Sequence, residues 1–114
     1  MAQDETIVSG MAGRYASALF SLAQEQKATD AVGADLDKLG RLIEESADLD
    51  RLVKSPVFTA EEQTRAIGAV LDKAGISGVV GNFVRLVASK RRLFALGDMI
   101  RGYRTLNDQA KGVA

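Results

Sequence analysis

The sequence predicts an all-α protein that folds as a compact six-helix bundle. Apolar residues recur at helical spacing in six segments, short links separate these segments, and no stretch alternates as a strand does. The chain has 114 residues, of which 46% are hydrophobic and 26% charged. This length supports one compact domain, and this composition is typical of a globular protein rather than a disordered one.

The six predicted helices follow a polar segment, residues 1–9, that we expect to form a flexible N-terminal tail. The predicted helices span residues 10–26, 30–45, 47–54, 60–73, 78–90 and 93–109.

The first helix is apolar over much of its surface, whereas the second has a narrow stripe. That stripe covers about 120° at about 100° per residue, and Thr29 or Asp30 is the expected N-cap. The stripe residues are Val32, Leu36, Leu39, Leu42 and Ile43.

The third helix is short, and specific residues predict both ends of the fourth helix. Ser46 is the expected cap of the third helix, and Pro56 prevents its continuation. Thr59 and Glu62 have the spacing of a capping box, which predicts the start of the fourth helix. Gly75 is the expected C′ residue at its end. The predicted inward residues are Leu49, Leu52 and Val53 on the third helix and Ile67, Val70, Leu71 and Ala74 on the fourth.

The fifth helix is expected to begin after Ser77, and the sixth carries one apolar stripe: Leu93, Leu96, Ile100, Tyr103 and Leu106.

The first and fifth helices share a pattern that one core does not explain. Their apolar residues cover roughly 200° of arc, although a helix facing a single core needs a stripe of only about 100°. The surplus predicts a second buried face on each helix, directed at a partner outside the chain.

Several kinds of chemistry lack the residues they require. The sequence contains no His and no Cys, which removes most zinc sites, the Ser-His-Asp triad and thiol nucleophiles. Catalysis, a metal site and a cofactor are therefore not expected. Net charge is zero, but six basic residues cluster late in the chain and fit a solvated surface, an acidic partner or phosphates. They are Arg85, Lys90, Arg91, Arg92, Arg101 and Arg104.

Three segments resemble one known family, the δ subunit of bacterial ATP synthase, called OSCP in mitochondria. Residues 13–20 (GRYASALF) resemble its opening helix, 52–58 (LVKSPVF) its segment before the fourth helix, and 82–93 (NFVRLVASKRRL) its fifth helix and following turn. The resemblance covers about residues 10–110, with the three segments in the family's order.

This resemblance implies a non-catalytic peripheral-stalk domain at 10–110. In the family it docks on the catalytic head by binding the N-terminal helix of an α subunit between helices 1 and 5, and so resists rotation during ATP synthesis. A C-terminal domain that binds the stalk b subunits is expected to be absent from this chain, which ends at Ala114. The implied location is peripheral, on the cytoplasmic face of a bacterial inner membrane (the matrix side in mitochondria), with membrane contact only through the complex and no nucleic-acid partner.

Matching by position gives the groove residues that the resemblance implies. They are Met11, Tyr15, Ala18 and Leu22 on helix 1, and Val79, Phe83, Leu86 and Lys90 on helix 5. Arg85, Arg91 and Arg92 are candidate electrostatic contacts, and Ala16, Leu19, Phe20, Val80, Val84 and Val87 are expected to face the core. The alternatives are that Tyr15 and Phe83 are core aromatics, or that the chain is an unrelated helical docking adaptor or a nucleic-acid-binding helical domain.

Overall fold

The structure, a computed structural model, describes residues 10–112 as six α-helices and one 3-10 turn, with no strand in that range. This confirms the predicted all-α bundle; the predicted tail at 1–9 lies outside the described residues. The elements are α1 (Gly10–Glu25), α2 (Thr29–Glu45), α3 (Ala47–Lys54), α4 (Ala60–Ala74), α5 (Gly78–Ser89), the 3-10 turn Leu93–Ala95 and α6 (Leu96–Ala110). Within 10–112, no helix combines the length and the apolar character needed to cross a bilayer.

One hydrophobic core joins all six helices. Its side chains come from the predicted inner faces, including Leu36 of α2, Ile67 of α4 and Val84 of α5, each at most 1% exposed. The six residues of α1 and α5 that were expected to face the core are all buried, which confirms that part of the prediction. The most extensive helix pairs are α1 with α6 and α4 with α5.

Three of the predicted helix ends are confirmed in atomic detail. Ser46 Oγ accepts a hydrogen bond from the backbone N–H of Leu49 at 3.1 Å. Thr59 and Glu62 form the reciprocal capping box, with bonds of 2.8 and 3.0 Å. Gly75 ends α4 in the left-handed region with φ 74°, where a residue without Cβ has no steric penalty.

One predicted N-cap is wrong, and another is confirmed in position but makes no side-chain bond. Thr29 is already the first residue of α2, and Ala28 occupies the N-cap position without a side-chain bond. Ala28 is placed there by the end of α1, because its N–H bonds to the carbonyl of Ala23. Ser77 does occupy the N-cap position of α5, but its side chain accepts no capping bond.

Helices α1 and α5 end in Schellman motifs with a basic residue where Gly is usual. Lys27 (φ 55°) and Arg91 (φ 58°) are left-handed. The N–H groups of Lys27 and Ala28 bond to the carbonyls of Gln24 and Ala23, and those of Arg91 and Arg92 bond to the carbonyls of Ala88 and Val87. The sharp reversal at Arg91 directs Arg92 toward α1.

Lys27→Gly is expected to stabilise the domain by about 0.5 to 1 kcal/mol, because Gly relieves the left-handed strain at only a modest entropic cost. Lys27 is exposed and forms no ion pair or side-chain hydrogen bond within residues 10–112. Lys73→Gly, inside the last turn of α4, is the matched control and should destabilise by about 1 kcal/mol. Urea denaturation of both variants measures the difference, and equal losses would contradict the strain argument.

The sixth helix begins later than the predicted residue 93. Residues Leu93–Ala95 form a single 3-10 turn, in which the N–H of Ala95 bonds to the carbonyl of Arg92, and α6 starts at Leu96. Arg92, which follows the left-handed Arg91, is the N-cap of this turn, so the reversal after α5 leads directly into it and Leu93 enters the core, where it is 1% exposed.

Tyr103 ties α6 to α1 and α2. Its ring packs edge-to-face on Phe20 with centroids 5.5 Å apart. Its hydroxyl donates to the carbonyl of Thr29 at 2.6 Å. A Cβ at Gly33 would lie 3.5 Å from the Tyr103 ring, an ordinary van der Waals distance, so the ring packs directly over this part of α2. Tyr103 is itself 1% exposed.

The stability of the domain is expected to fall between pH 10 and 12 through Tyr103. Burial, with a smaller contribution from the charge of Asp30, raises the pKa of Tyr103 from 10.0 to about 12. Between these values the unfolded chain has released the phenol proton and the folded chain still holds it, so stability is present below pH 10 and is lost as pH rises.

Tyr103→Phe isolates this effect, because it retains the ring and removes the titrating group. The variant should be about 1 kcal/mol less stable near pH 8, since the carbonyl of Thr29 loses its donor. That deficit should shrink as pH rises from 10 to 12 in urea denaturation series. A deficit that stays constant over this range would show that Tyr103 does not titrate as described.

Candidate protein-docking groove

The open side of the bundle lies between α1 and α5. Each of these helices packs its core face on a neighbour, α1 on α6 and α5 on α4. Their remaining apolar faces border a groove of about 520 Å³, a volume in the usual range for ligand sites. Its lining residues are Arg14, Tyr15, Ala18, Leu19, Leu22 and Gln26 from α1 or its end, and Val79, Asn82, Phe83 and Leu86 from α5.

Six of the eight side chains predicted for this site line the groove. They are Tyr15, Ala18, Leu22, Val79, Phe83 and Leu86. Met11 does not: it lies in the first turn of α1 and packs, partly buried, against the core. Lys90 is also outside the lining, at the exposed C-cap of α5.

The other four lining residues were not predicted as groove residues, although helical spacing contains the signal. Leu19 lies four residues after Tyr15, and Gln26 lies four after Leu22. Residues at these spacings share one helix face. Leu19 was expected in the core, and it is both 3% exposed and part of the groove floor. Arg14 and Asn82 are polar, so the apolar pattern did not indicate them.

The groove exposes large apolar side chains. Leu22 is 41% exposed and Leu86 is 49% exposed, on opposite sides. Ala18, one turn before Leu22 on α1, is exposed and has only a methyl group, so the α1 wall is low at this position. A continuous exposed apolar surface rimmed by polar residues is typical of a protein-interaction site.

An aromatic contact bridges the two helices at one end. The rings of Tyr15 and Phe83 meet edge-to-face with centroids 6.2 Å apart. Arg92 Nη1 donates to the Tyr15 hydroxyl at 3.1 Å, and its guanidinium carbon lies 5.6 Å from the centre of that ring. These half-buried aromatics pack against the edge of the core and also remain accessible in the groove.

Most of the predicted basic cluster is engaged in local contacts. Arg85 pairs with Asp72 at 3.2 Å, Arg104 pairs with Asp37 at 2.6 Å, and Arg101 pairs with Asp98. Arg91 donates to the carbonyl of Pro56 at 3.3 Å. Three of the six cations are thus in exposed ion pairs, whereas Lys90, Arg91 and Arg92 have no carboxylate oxygen within 4.0 Å in residues 10–112.

The fold and the groove define a class of protein: a small all-α bundle with an open, apolar, helix-lined surface. Comparison with known proteins identifies the family. A profile of the ATP synthase delta (OSCP) subunit matches residues 11–114. The chain belongs to the ATP synthase delta (OSCP) family, which sets aside the interpretation as an unrelated adaptor.

Individual relatives agree with this family. ATP synthase subunit delta of Azorhizobium caulinodans is 66% identical over 108 residues, which cover 95% of this chain and 58% of that protein. The subunit of Xanthobacter autotrophicus is 67% identical over 108 residues, 95% of this chain and 54% of that protein. That of Rhodopseudomonas palustris strain HaA2 is 56% identical over 114 residues, 100% of this chain and 61% of that protein. The chain thus spans little more than half the length of these relatives, and no solved structure matches it.

Proposed function

We propose that this domain is a non-catalytic part of the peripheral stalk of ATP synthase and that it docks on the catalytic head. The N-terminal helix of an α subunit lies in the groove between α1 and α5. By holding the head against the torque of the central rotor, the domain resists rotation during ATP synthesis. Its location is peripheral, on the cytoplasmic face of a bacterial inner membrane, with the membrane reached only through the complex.

The observation that carries this proposal is the apolar groove between α1 and α5 in a member of the delta family. An amphipathic helix seated there would cover Leu22 and Leu86, the two large apolar side chains most exposed in the groove. This is the helix-in-groove mode of recognition, with anchors on the bound helix at i, i+3, i+4 and i+7. Attachment to the stalk b subunits belongs, in this proposal, to the part of the relatives that this chain does not cover.

The test is a titration of the 114-residue chain with a synthetic peptide of the first 20–25 or so residues of the α subunit, followed by NMR amide shifts. We expect shifts concentrated on α1 and α5 and an affinity near 1 μM, about −8 kcal/mol. A peptide with its apolar face changed to Ser is the control and should not bind. A folded domain that shows no shifts at about 1 mM peptide would overturn the proposal.

A further inference from the structure

We propose that the Tyr15 end of the groove is a charge-selective subsite that requires a carboxylate on the edge of the bound helix. This inference rests on the proposed function and deepens it, since it specifies one chemical feature of the partner. The subsite consists of Arg14, Lys90 and Arg92. None of these three is needed to enclose the core, because all are exposed.

Contacts bring these cations to one end. Arg92 bonds to the hydroxyl of Tyr15, which places the turn after α5 beside the second turn of α1. Arg14 is next to Tyr15 in the chain and lines the groove, and Lys90 caps the end of α5. Among the described residues that line the groove, none is acidic and Arg14 carries the one formal charge.

Within the described part of the chain, their charges have no carboxylate partner. Within residues 10–112, none of the three cations has a carboxylate oxygen within 4.0 Å, whereas Arg85 and Arg104 each do. A carboxylate that reaches this end of the groove is attracted by all three cations. This attraction gives the subsite a preference for a negative partner.

Arg92 is already oriented for this role. The Schellman turn at Arg91 fixes its backbone, and Tyr15 holds its guanidinium by a hydrogen bond and by the ring face. A guanidinium has five N–H donors, and only one is used by Tyr15. The remaining donors can bind a carboxylate with little further loss of side-chain entropy.

Docking of the helix strengthens the interaction. A bound helix would exclude water from the apolar strip beside these cations, which lowers the local dielectric and increases their attraction for a carboxylate. The effect is to fix the position of the bound helix along the groove, since only one placement puts its acidic residue at the Tyr15 end. Charge would then supply specificity and a faster association rate, and the apolar strip most of the affinity.

Arg14→Gln and Lys90→Gln test this directly against the α-subunit N-terminal peptide. Each is expected to weaken binding about threefold at low salt, and together about tenfold. The double variant should also lose most of the salt dependence of the wild type between about 30 and 300 mM NaCl. Arg65→Gln on α4, which also removes an exposed cation without a carboxylate partner in the described chain, is the matched control and should change neither. A mere helix-capping role for Lys90 would lower the unfolding midpoint without changing affinity, and that outcome would overturn its place in the subsite.

Arg92 needs a pair of variants, because it also contacts Tyr15. Arg92→Lys retains the charge and should keep most of the affinity, whereas Arg92→Gln should lose it about as Arg14→Gln does. Single Asp or Glu residues of the peptide can be replaced by Asn or Gln. One of these replacements should weaken binding to the wild-type domain but not to the Arg14→Gln variant. If the peptide binds with no salt dependence and equal affinity in all variants, the subsite is wrong and the docking proposal stands. If the peptide does not bind the wild type at any salt concentration, the docking proposal itself fails.

Discussion

Ala18→Asp is expected to weaken binding of the α-subunit peptide by at least about 100-fold, about 2.8 kcal/mol, while the bundle stays folded. Ala18 is exposed in the free domain and lines the groove, so the new carboxylate remains hydrated until a helix covers it. On binding it would lose most of its water inside an apolar strip, which is strongly unfavourable, and Arg14, one turn away on α1, could compensate its charge only by being withdrawn from the bound helix. Isothermal titration calorimetry measures the loss, and circular dichroism checks the fold.

Two further variants separate burial from other effects. Ala69→Asp makes the same change on the exposed face of α4, between Arg65 and Lys73, and should bind like the wild type. Ala18→Lys has the opposite charge and should also bind poorly, because the cost comes from desolvation rather than from the sign of the charge. Wild-type affinity for a folded Ala18→Asp variant would place the docking surface elsewhere.

The apolar periodicity predicted the helices well, because burial of one helix face determines both the sequence pattern and the way the helix packs. The faces of α1 and α5 that carry Leu19, Val84 and similar residues have one energetically acceptable direction, and the structure buries them there. The surplus apolar arc of these two helices likewise indicated a second face. Capping pairs such as Thr59 and Glu62 could be predicted, because the two partners are only three residues apart in the sequence.

Features that depend on partners distant in the sequence, or on an unusual backbone conformation, could not be predicted from the sequence. Nothing in the sequence around Lys27 or Arg91 indicates a left-handed residue, since Gly is the usual signal at C′. The contact of Arg92 with Tyr15 joins residues 77 apart in the chain. Gln63 is a polar side chain that is only 5% exposed. Its burial is tolerated because its amide donates a hydrogen bond at 3.0 Å to the carbonyl of Leu52, eleven residues away in the chain.

The groove itself lies between these two cases. Each wall is a local pattern that the sequence contains, but the opening between the walls depends on which neighbours α1 and α5 pack against. Met11 shows the limit, because it continues the spacing of Tyr15 and Ala18 and packs against the core as Tyr15 does, yet it does not line the groove. The helix face was therefore predictable, and the length of groove that it lines was not.

Tyr103→Ala is expected to destabilise the domain by about 4 kcal/mol, the largest loss that we predict for one side chain. The change removes the edge-to-face contact with Phe20, leaves the carbonyl of Thr29 without its donor and opens a cavity where α1, α2 and α6 meet. Phe94→Ala is the matched control: this aromatic is 61% exposed in the neighbouring 3-10 turn, so its loss should cost less than about 0.5 kcal/mol. Domains of this kind have an ordinary free energy of unfolding of about 5 to 15 kcal/mol. At the low end of that range, loss of the Tyr103 ring would leave the domain only marginally folded. Its urea midpoint should fall accordingly. Since α1 forms one wall of the groove, peptide affinity should fall along with stability. Similar urea midpoints for the two variants would mean that the junction of α1, α2 and α6 is not where the bundle is held together.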